Sequence, residues 1–326
     1  MSVPVPIEEA PEIGLVDPAG EVGIAARSPQ QLFWRRFRQD RVALAALVVV
    51  VLLVLVAIFA PVITSVLGLP DPNQQNPHAL DEFGSPSGPS SAHLLGVDQL
   101  GRDVLSRTIY GARVSLEVAF LSTGVAVIIG VTIGMAAAFY GGWTDTLLSR
   151  FMDIVLAFPV LLMAIGLATA CSGPNGCLDG AIEPGLTVLV IVIALASWPY
   201  IGRIVRGQVL SLREQEFVEA SRSLGASNLR IIFREILPNL VAPIIVYSTL
   251  ILPTNILFEA SLSYLGVGVQ PPTASWGQMI ADAVPIFDSA WWYMLFPGIA
   301  LVVTVLAFNV VGDGLQDALD PRRDRR

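Results

Sequence analysis

The sequence contains no lysine, so all 19 of its basic residues are arginine, and it has only two histidines and two cysteines. It lacks the phosphate-binding pattern G-x-x-x-x-G-K-[ST], which argues against ATP hydrolysis by this chain. It also lacks H-E-x-x-H, G-x-S-x-G and paired-cysteine zinc patterns. These absences predict a protein that is not an enzyme and that holds no metal or cofactor of its own.

Long hydrophobic runs are abundant. Hydrophobic residues make up 54% of the 326 residues, and the mean hydropathy is +0.67. Residues 42–60 form a run without a polar side chain that is long enough to cross a hydrocarbon core. Five more runs lie near 114–139, 151–170, 185–202, 240–258 and 291–311. We therefore predict an all-α polytopic membrane protein with six transmembrane helices.

The arginines predict the orientation. Five precede the first run, one lies between the second and third, six lie between the fourth and fifth, and four close the chain. These arginines fall on one side of the membrane if both termini are cytoplasmic, as the positive-inside rule requires. We expect a multi-pass protein of the cytoplasmic membrane with both ends inside. The net charge of -8 adds little, because acidic residues barely influence orientation.

The runs and their flanking segments suggest five regions. The first is proline-rich and acidic, without the basic start and short apolar core of a signal peptide. The regions are a disordered cytoplasmic tail (1–29), an N-terminal segment with the first span (30–66), an outer loop with an amphipathic helix (67–112), a core domain with the other five spans (113–312) and a loop at about 211–238, and a cytoplasmic C-terminal tail (313–326).

Few polar residues lie within the predicted spans, and two of them are candidates for a translocation path. Asn255 and Glu259 lie at the outward end of the fifth span. A proton- or sodium-coupled carrier usually has charges at mid-membrane, and this chain has almost none. The composition therefore favours a transporter whose energy is supplied by another protein. A stand-alone channel or secondary carrier is the alternative.

Two short patterns predict local contacts. Gly130 and Gly134 form a G-x-x-x-G pattern in the second run, which suits close helix packing. Cys171 and Cys177 lie together in an outward loop, where the compartment permits a disulfide. Two unpaired thiols remain the alternative.

The segment 216–239, EFVEASRSLGASNLRIIFREILPN, is charged and amphipathic although it lies between two hydrophobic runs. It predicts two helices. The first covers 211–224, and one of its faces contains Phe217, Ala220, Ser221 and Leu224. Gly225 can take the left-handed conformation that ends a helix, and Ser227 can cap the second helix.

The second predicted helix leads into the fifth span. Its apolar face contains Leu229, Ile232, Phe233, Ile236 and Leu240. The residues alone leave two interpretations evenly balanced. The helix pair either docks a cytoplasmic partner or simply lies on the bilayer and the bundle.

Within this segment, EASRSLGASNLRIIFREILP resembles the EAA motif of ABC-importer permeases. Glu219, Ala220, Gly225, Leu237 and Pro238 match, whereas Ser221 replaces an alanine and Glu235 stands where isoleucine is expected. The resemblance implies a coupling helix that docks on an ATP-binding subunit. The candidate contacts are Glu219, Ala220, Ser221, Leu224, Gly225 and Ala226.

Two further stretches narrow the family. HLLGVDQLGRDVLSRTIYGARVSLEVAF, from His93, resembles the signature of the second permease subunit in the dipeptide, oligopeptide and nickel importer group. It predicts an amphipathic helix entering span two, with Leu100, Val104 and Leu105 facing apolar surroundings. EASLSYLGVGVQPPTASWGQMI, residues 259–280, also matches the group.

The resemblance implies a type I ABC importer permease fold and an importer of peptides, most simply dipeptides or oligopeptides. It implies a heterodimer with a paralogous permease, two ATP-binding subunits that hold ATP and Mg²⁺, and an extracytoplasmic solute-binding protein. It implies no nucleic-acid partner.

Overall fold

A computed structural model describes residues 29–171 and 185–319. Residues 1–28 of the predicted N-terminal tail, residues 320–326 of the C-terminal tail and Cys177 lie outside the described residues. The described helices are α1 (Pro29–Gln39), α2 (Arg41–Ile58), α3 (Ala60–Val66), α4 (Val104–Tyr140), α5 (Gly142–Ala157), α6 (Val160–Cys171), α7 (Leu186–Leu212), α8 (Glu216–Ser223), α9 (Asn228–Arg230), α10 (Leu237–Tyr264), α11 (Trp276–Ala283) and α12 (Trp291–Leu319). A π-helical segment (Ile231–Ile236) joins α9 to α10, and short 3-10 turns lie at Pro77–Ala79 and Val284–Ile286.

The chain is helical throughout the part that the structure describes, and only two isolated β-bridges occur there. Five helices are long and apolar enough to cross a membrane: α2, α4, α7, α12 and the continuous helix 228–264 formed by α9, the π segment and α10. The pair α5–α6 makes a sixth span when it is counted as one. We call the end that carries 213–227 the inner end and the end that carries 67–103 the outer end, following the predicted orientation.

The pair α5–α6 bends by 87° at a proline. Phe158, directly before Pro159, has extended backbone angles, which steric contact with a following proline ring favours. Pro199, Pro253 and Pro297 lie inside helices that continue through them, and all three are buried. Packing against neighbouring helices compensates the missing hydrogen bond at such sites, whereas Pro159 is exposed and the helix breaks there.

The helices α4 and α7 contact each other closely through glycine. A Cβ on Gly134 would overlap the carbonyl oxygen of Gly202, and one on Gly130 would lie 2.8 Å from the carbonyl oxygen of Trp198. This confirms the close packing that the G-x-x-x-G pattern predicts.

Smaller elements close the two ends of the bundle. At the inner end, α1 packs Phe37 against Ala43 of α2 and Ala318 of α12. At the outer end, α11 and the start of α12 pack Met279 and Tyr293 around Val104. The long spans are therefore fixed at both ends by short amphipathic segments.

Candidate functional site

The charged loop at the inner end is anchored where α7 stops. Arg213 follows the last residue of α7 and donates from Nη1 to the carbonyl oxygen of Ala138 at 2.7 Å. Its Nε donates to Oε1 of Glu214 at 2.9 Å. Because Ala138 lies near the inner end of α4, this arginine ties the base of the loop to both helices of the glycine contact.

The first loop helix is shorter than the sequence predicts. α7 continues to Leu212, and α8 begins only at Glu216, so the predicted start at residue 211 is wrong. Val218 is fully buried against Val209 and Ile231. The predicted face of Phe217, Ala220, Ser221 and Leu224 points away from this core.

The exposed face of α8 includes apolar side chains. Phe217 is 39% exposed and Leu224 is 88% exposed. Ala220 is also exposed and Ser221 is half-buried. One side of this helix of about two turns is thus held by Val218, and the other side carries small and apolar residues that are exposed or half-buried.

Gly225 ends α8 in the left-handed conformation, as predicted. Its φ is +76°. Its N–H bonds to the carbonyl oxygen of Arg222, and the N–H of Ala226 bonds to that of Ser221. These two bonds define a Schellman motif, so the loop turns sharply at a fixed point.

The second loop helix differs from its prediction. Leu229 and Phe233 are 63% and 59% exposed, whereas Ile231 is fully buried. For Phe233 the cause is the π-helical segment, whose i→i+5 bonds widen the turn and displace residues relative to a 3.6-residue pattern. Leu229 precedes this segment and is exposed in α9. Ser227 stands at the cap position of α9 but makes no side-chain capping bond there.

The six predicted coupling residues therefore form one compact surface. Glu219 and Gly225 are exposed, and Ala226 is half-buried against the core beneath α8. Within 29–171 and 185–319, Glu219 makes no ion pair, so the nearby Arg222 does not neutralise it. The coupling role of Glu219, Ala220, Ser221, Leu224, Gly225 and Ala226 stays a prediction.

Asn255 and Glu259 lie between helices. Asn255 is fully buried; Ser197 Oγ donates to its Oδ1 at 2.8 Å, and its Nδ2 donates to Thr123 Oγ1 at 2.8 Å. Glu259 is also fully buried and accepts from Ser115 and Ser263. Both side chains are thus enclosed by α4, α7 and α10 within this chain, and their place along a translocation path stays a prediction.

The serine and threonine partners were missed in the sequence, although a signal exists. Asn255, Glu259 and Ser263 follow each other at four-residue spacing, which places them on one face of α10. Ser115 and Thr123 lie eight residues apart on α4 and face the same seam. A polar row at helical spacing within an apolar run would have indicated a helix-to-helix contact.

The outer signature forms a turn rather than the predicted amphipathic helix. Residues 93–103 are loop, and α4 begins at Val104 with Asp103 accepting at its cap from Ser106 N at 2.8 Å. Leu100 is 47% exposed in that loop, so its predicted apolar surroundings are wrong. The turn exists because Gly101 has φ +72° and Asp98 accepts from the backbone that follows it.

Buried charges fix this turn to the bundle. Arg102 Nε donates to Asp98 Oδ2 at 2.6 Å, and Arg107 Nε lies 3.6 Å from the same oxygen. Arg107 is 1% exposed and donates from Nη1 to the carbonyl oxygens of Pro72 and Pro272. The matched polar residues of the signature thus join two distant outer segments to the start of α4.

The described residues include no group of three His, Cys, Asp or Glu side chains that could hold a metal ion. Cys171 ends α6, and its predicted partner Cys177 lies outside the described residues, so the disulfide stays a prediction.

Comparison with known proteins gives two family matches. The model described as binding-protein-dependent transport system inner membrane component matches residues 130–325. The model described as N-terminal TM domain of oligopeptide transport permease C matches residues 28–86.

Similar full-length proteins are transport permeases. The chain is 41% identical to the dipeptide transport system permease protein DppC of Alkalihalophilus pseudofirmus, with 94% of each chain covered. It is 39% identical to the glutathione transport system permease protein GsiD of Pectobacterium atrosepticum, covering 91% of this chain and 93% of the relative. It is 42% identical to a putative peptide transport system permease protein of Brucella abortus, covering 91% and 93%.

Among solved structures, an inward-facing form of the MetNI methionine ABC transporter matches with a TM-score of 0.54 at 20% identity. The match covers 67% of this chain and 96% of that one. A likeness at this identity concerns the fold, which is that of a type I ABC importer permease.

Proposed function

Because the chain belongs to the family of binding-protein-dependent transport system inner membrane components, we propose that it is one permease subunit of an ATP-driven importer that moves peptides across the cytoplasmic membrane. It pairs with a paralogous permease and works with two ATP-binding subunits and an extracytoplasmic solute-binding protein. ATP and Mg²⁺ bind to the ATPase subunits, since this chain carries no phosphate-binding loop.

The exposed face of α8 is the observation that supports this coupling. Val218 is buried beneath the helix and Gly225 ends it at a fixed turn. The opposite face presents Ala220 and the 88% exposed Leu224. Small residues allow a helix to seat closely in a groove, and the exposed apolar side chains of Phe217 and Leu224 share this face, as in a patch that contacts a protein or a membrane.

The connections of α8 explain how its movement reaches the spans. At one end the loop is tied through Arg213 to α4 and α7. At the other end it enters the continuous helix 228–264 that crosses the bundle. When ATP binding closes the ATPase pair, α8 moves with it as a rigid body. ATP then shifts the population from inward-facing to outward-facing permease, because the closed ATPases fit one state better.

The cargo is inferred from the relatives. The similar permeases are named for dipeptide, peptide and glutathione transport, which are all peptides or peptide-like solutes. We therefore infer a short peptide as the cargo, with a dipeptide or an oligopeptide favoured. Both termini lie in the cytoplasm, because that orientation places the arginines of the loop and tails inside.

Reconstitution in vesicles tests the proposal. Uptake of labelled dipeptide, longer peptide and glutathione is measured with the full set of subunits and with each subunit left out. We expect peptide uptake that requires ATP, both permeases, the ATPases and the binding protein. Uptake by this chain alone, independent of nucleotide, would instead establish a channel or secondary carrier.

A further inference from the structure

Glu259 is a carboxyl group buried in the apolar bundle and held by hydroxyl groups. It is fully buried. Ser115 Oγ donates to its Oε2 at 2.8 Å, and Ser263 Oγ donates to its Oε1 at 2.8 Å. Among the residues that the structure describes, no arginine or histidine forms an ion pair with it. Since a buried polar group is costly unless it is hydrogen-bonded, the hydroxyls of Ser115 and Ser263, with that of the nearby Ser275, stabilise this carboxyl group in the bundle.

Each serine also accepts a backbone hydrogen bond from the segment after α10. Trp276 N donates to Ser115 Oγ at 3.2 Å, and Val269 N donates to Ser263 Oγ at 3.1 Å. A hydroxyl has a single hydrogen to donate. The N–H groups therefore leave both hydroxyl hydrogens free to point at the carboxyl oxygens, and two chains of hydrogen bonds converge on Glu259.

The segment that these bonds hold, residues 265–277, is here called the outer strap. It lies tightly on α10, because a Cβ on Gly268 would overlap Ser263 and one on Gly277 would lie 2.5 Å from Cα of Ala260. It is also fixed to α4, since the buried Trp276 donates from Nε1 to a carbonyl oxygen near the start of that helix at 3.0 Å.

We propose that Glu259 is a positioning residue that fixes the outer strap to α4 and α10 through the hydroxyls of Ser115 and Ser263. This rests on the proposed function in one respect, which is the consequence for transport. The helix 228–264 runs from the inner loop to the strap without a break. The strap therefore moves together with α10 and α4 when α8 is displaced, and the outer opening follows the ATPase cycle.

Hydrogen–deuterium exchange of the assembled transporter tests the positioning role. In Glu259→Gln the amide group keeps only one oxygen acceptor, so one of the two serine hydroxyls loses the group to which it donates. We expect exchange across the strap to become roughly ten- to a hundredfold faster, as for the loss of a buried hydrogen bond. Exchange in α7 should not change. Ser115→Ala and Ser263→Ala should give the same local effect. Ser261→Ala is the matched control, because its hydroxyl bonds only to a carbonyl of its own helix.

A second measurement separates positioning from simple stability. The ratio of peptide uptake to ATP hydrolysis should fall in Glu259→Gln, Ser115→Ala and Ser263→Ala, whereas Ser261→Ala should leave it unchanged. Unchanged strap exchange, or faster exchange throughout the bundle, overturns the proposal. If Glu259→Gln does not assemble, the two serine variants decide by the same criteria. Absence of uptake in the wild-type complex would contradict the proposed function, whereas the exchange result stands independently of transport.

Discussion

Replacing Gly225 tests the coupling loop through its backbone alone. The residue ends α8 with φ +76°, and a Cβ built there meets no atom within 4 Å. A new side chain therefore has room, and its cost comes only from the left-handed conformation. That cost is about 1–2 kcal/mol for an ordinary L residue, while asparagine adopts the conformation more readily.

The size of this conformational cost determines how much each substitution should weaken binding to the ATPase. A cost of about 1–2 kcal/mol lowers the fraction of chains with the native turn by up to about 5- to 30-fold, and the apparent affinity for the ATPase falls by the same factor. We expect affinity to decrease in the order glycine, asparagine, alanine, valine at position 225. Valine comes last because a β-branched residue tolerates positive φ least.

The assay is a titration of the permease in vesicles with purified ATPase subunits, supported by pull-down. Gly68→Val is the matched control, because Gly68 also has positive φ and no Cβ neighbour but follows α3 at the outer end. Full ATPase affinity in Gly225→Val would refute the coupling assignment. An equal loss in Gly68→Val would show that the effect is general destabilisation.

Three further predictions concern packing, redox state and charge. Gly134→Ala should lower the unfolding free energy by about 1–3 kcal/mol, since its Cβ overlaps α7. Gly124→Ala is the control, because it has open space on the same helix and should be neutral or stabilising by up to about 1 kcal/mol. Equal thermal stability of the two variants would contradict the packing argument. Cys171 and Cys177 should resist alkylation until reductant is added, and two freely alkylated thiols would exclude the disulfide. Glu219→Ala should leave the isolated permease as stable as wild type, because the side chain is exposed, but lower substrate-stimulated ATP hydrolysis in the complex; hydrolysis that stays coupled would make Glu219 a surface charge.

Local features of this chain could be predicted from local sequence. Each span corresponds to an apolar run, because length and hydropathy suffice to identify a membrane helix. The end of α8 at Gly225 was also predictable, because only glycine adopts positive φ without strain. Such features depend on one residue or on neighbours within a few turns.

The errors in the inner loop concern features that depend on packing between helices. The helical period predicted that Leu229 and Phe233 share the buried face of Ile232, but both are exposed, and the π segment displaces the pattern only for residues within and after it, such as Phe233. The sequence likewise does not determine whether a proline breaks a helix, because Pro199 and Pro159 differ in burial rather than in any local motif. Packing against neighbouring helices determined both outcomes.

The polar partners on other helices could be identified only from the tertiary structure. Glu259 meets Ser115 across 144 positions of sequence, and Trp276 reaches the same serine across 161. Hydroxyl groups at such separations have no pairing rule in the sequence, because any serine on an apolar helix can bond to its own backbone instead. The sequence determined which segments cross the membrane and where the loop turns. Only the packing of α4 against α10 brought Ser115 to the carboxyl group that Ser263 contacts within its own helix, and fixed the outer strap on the bundle.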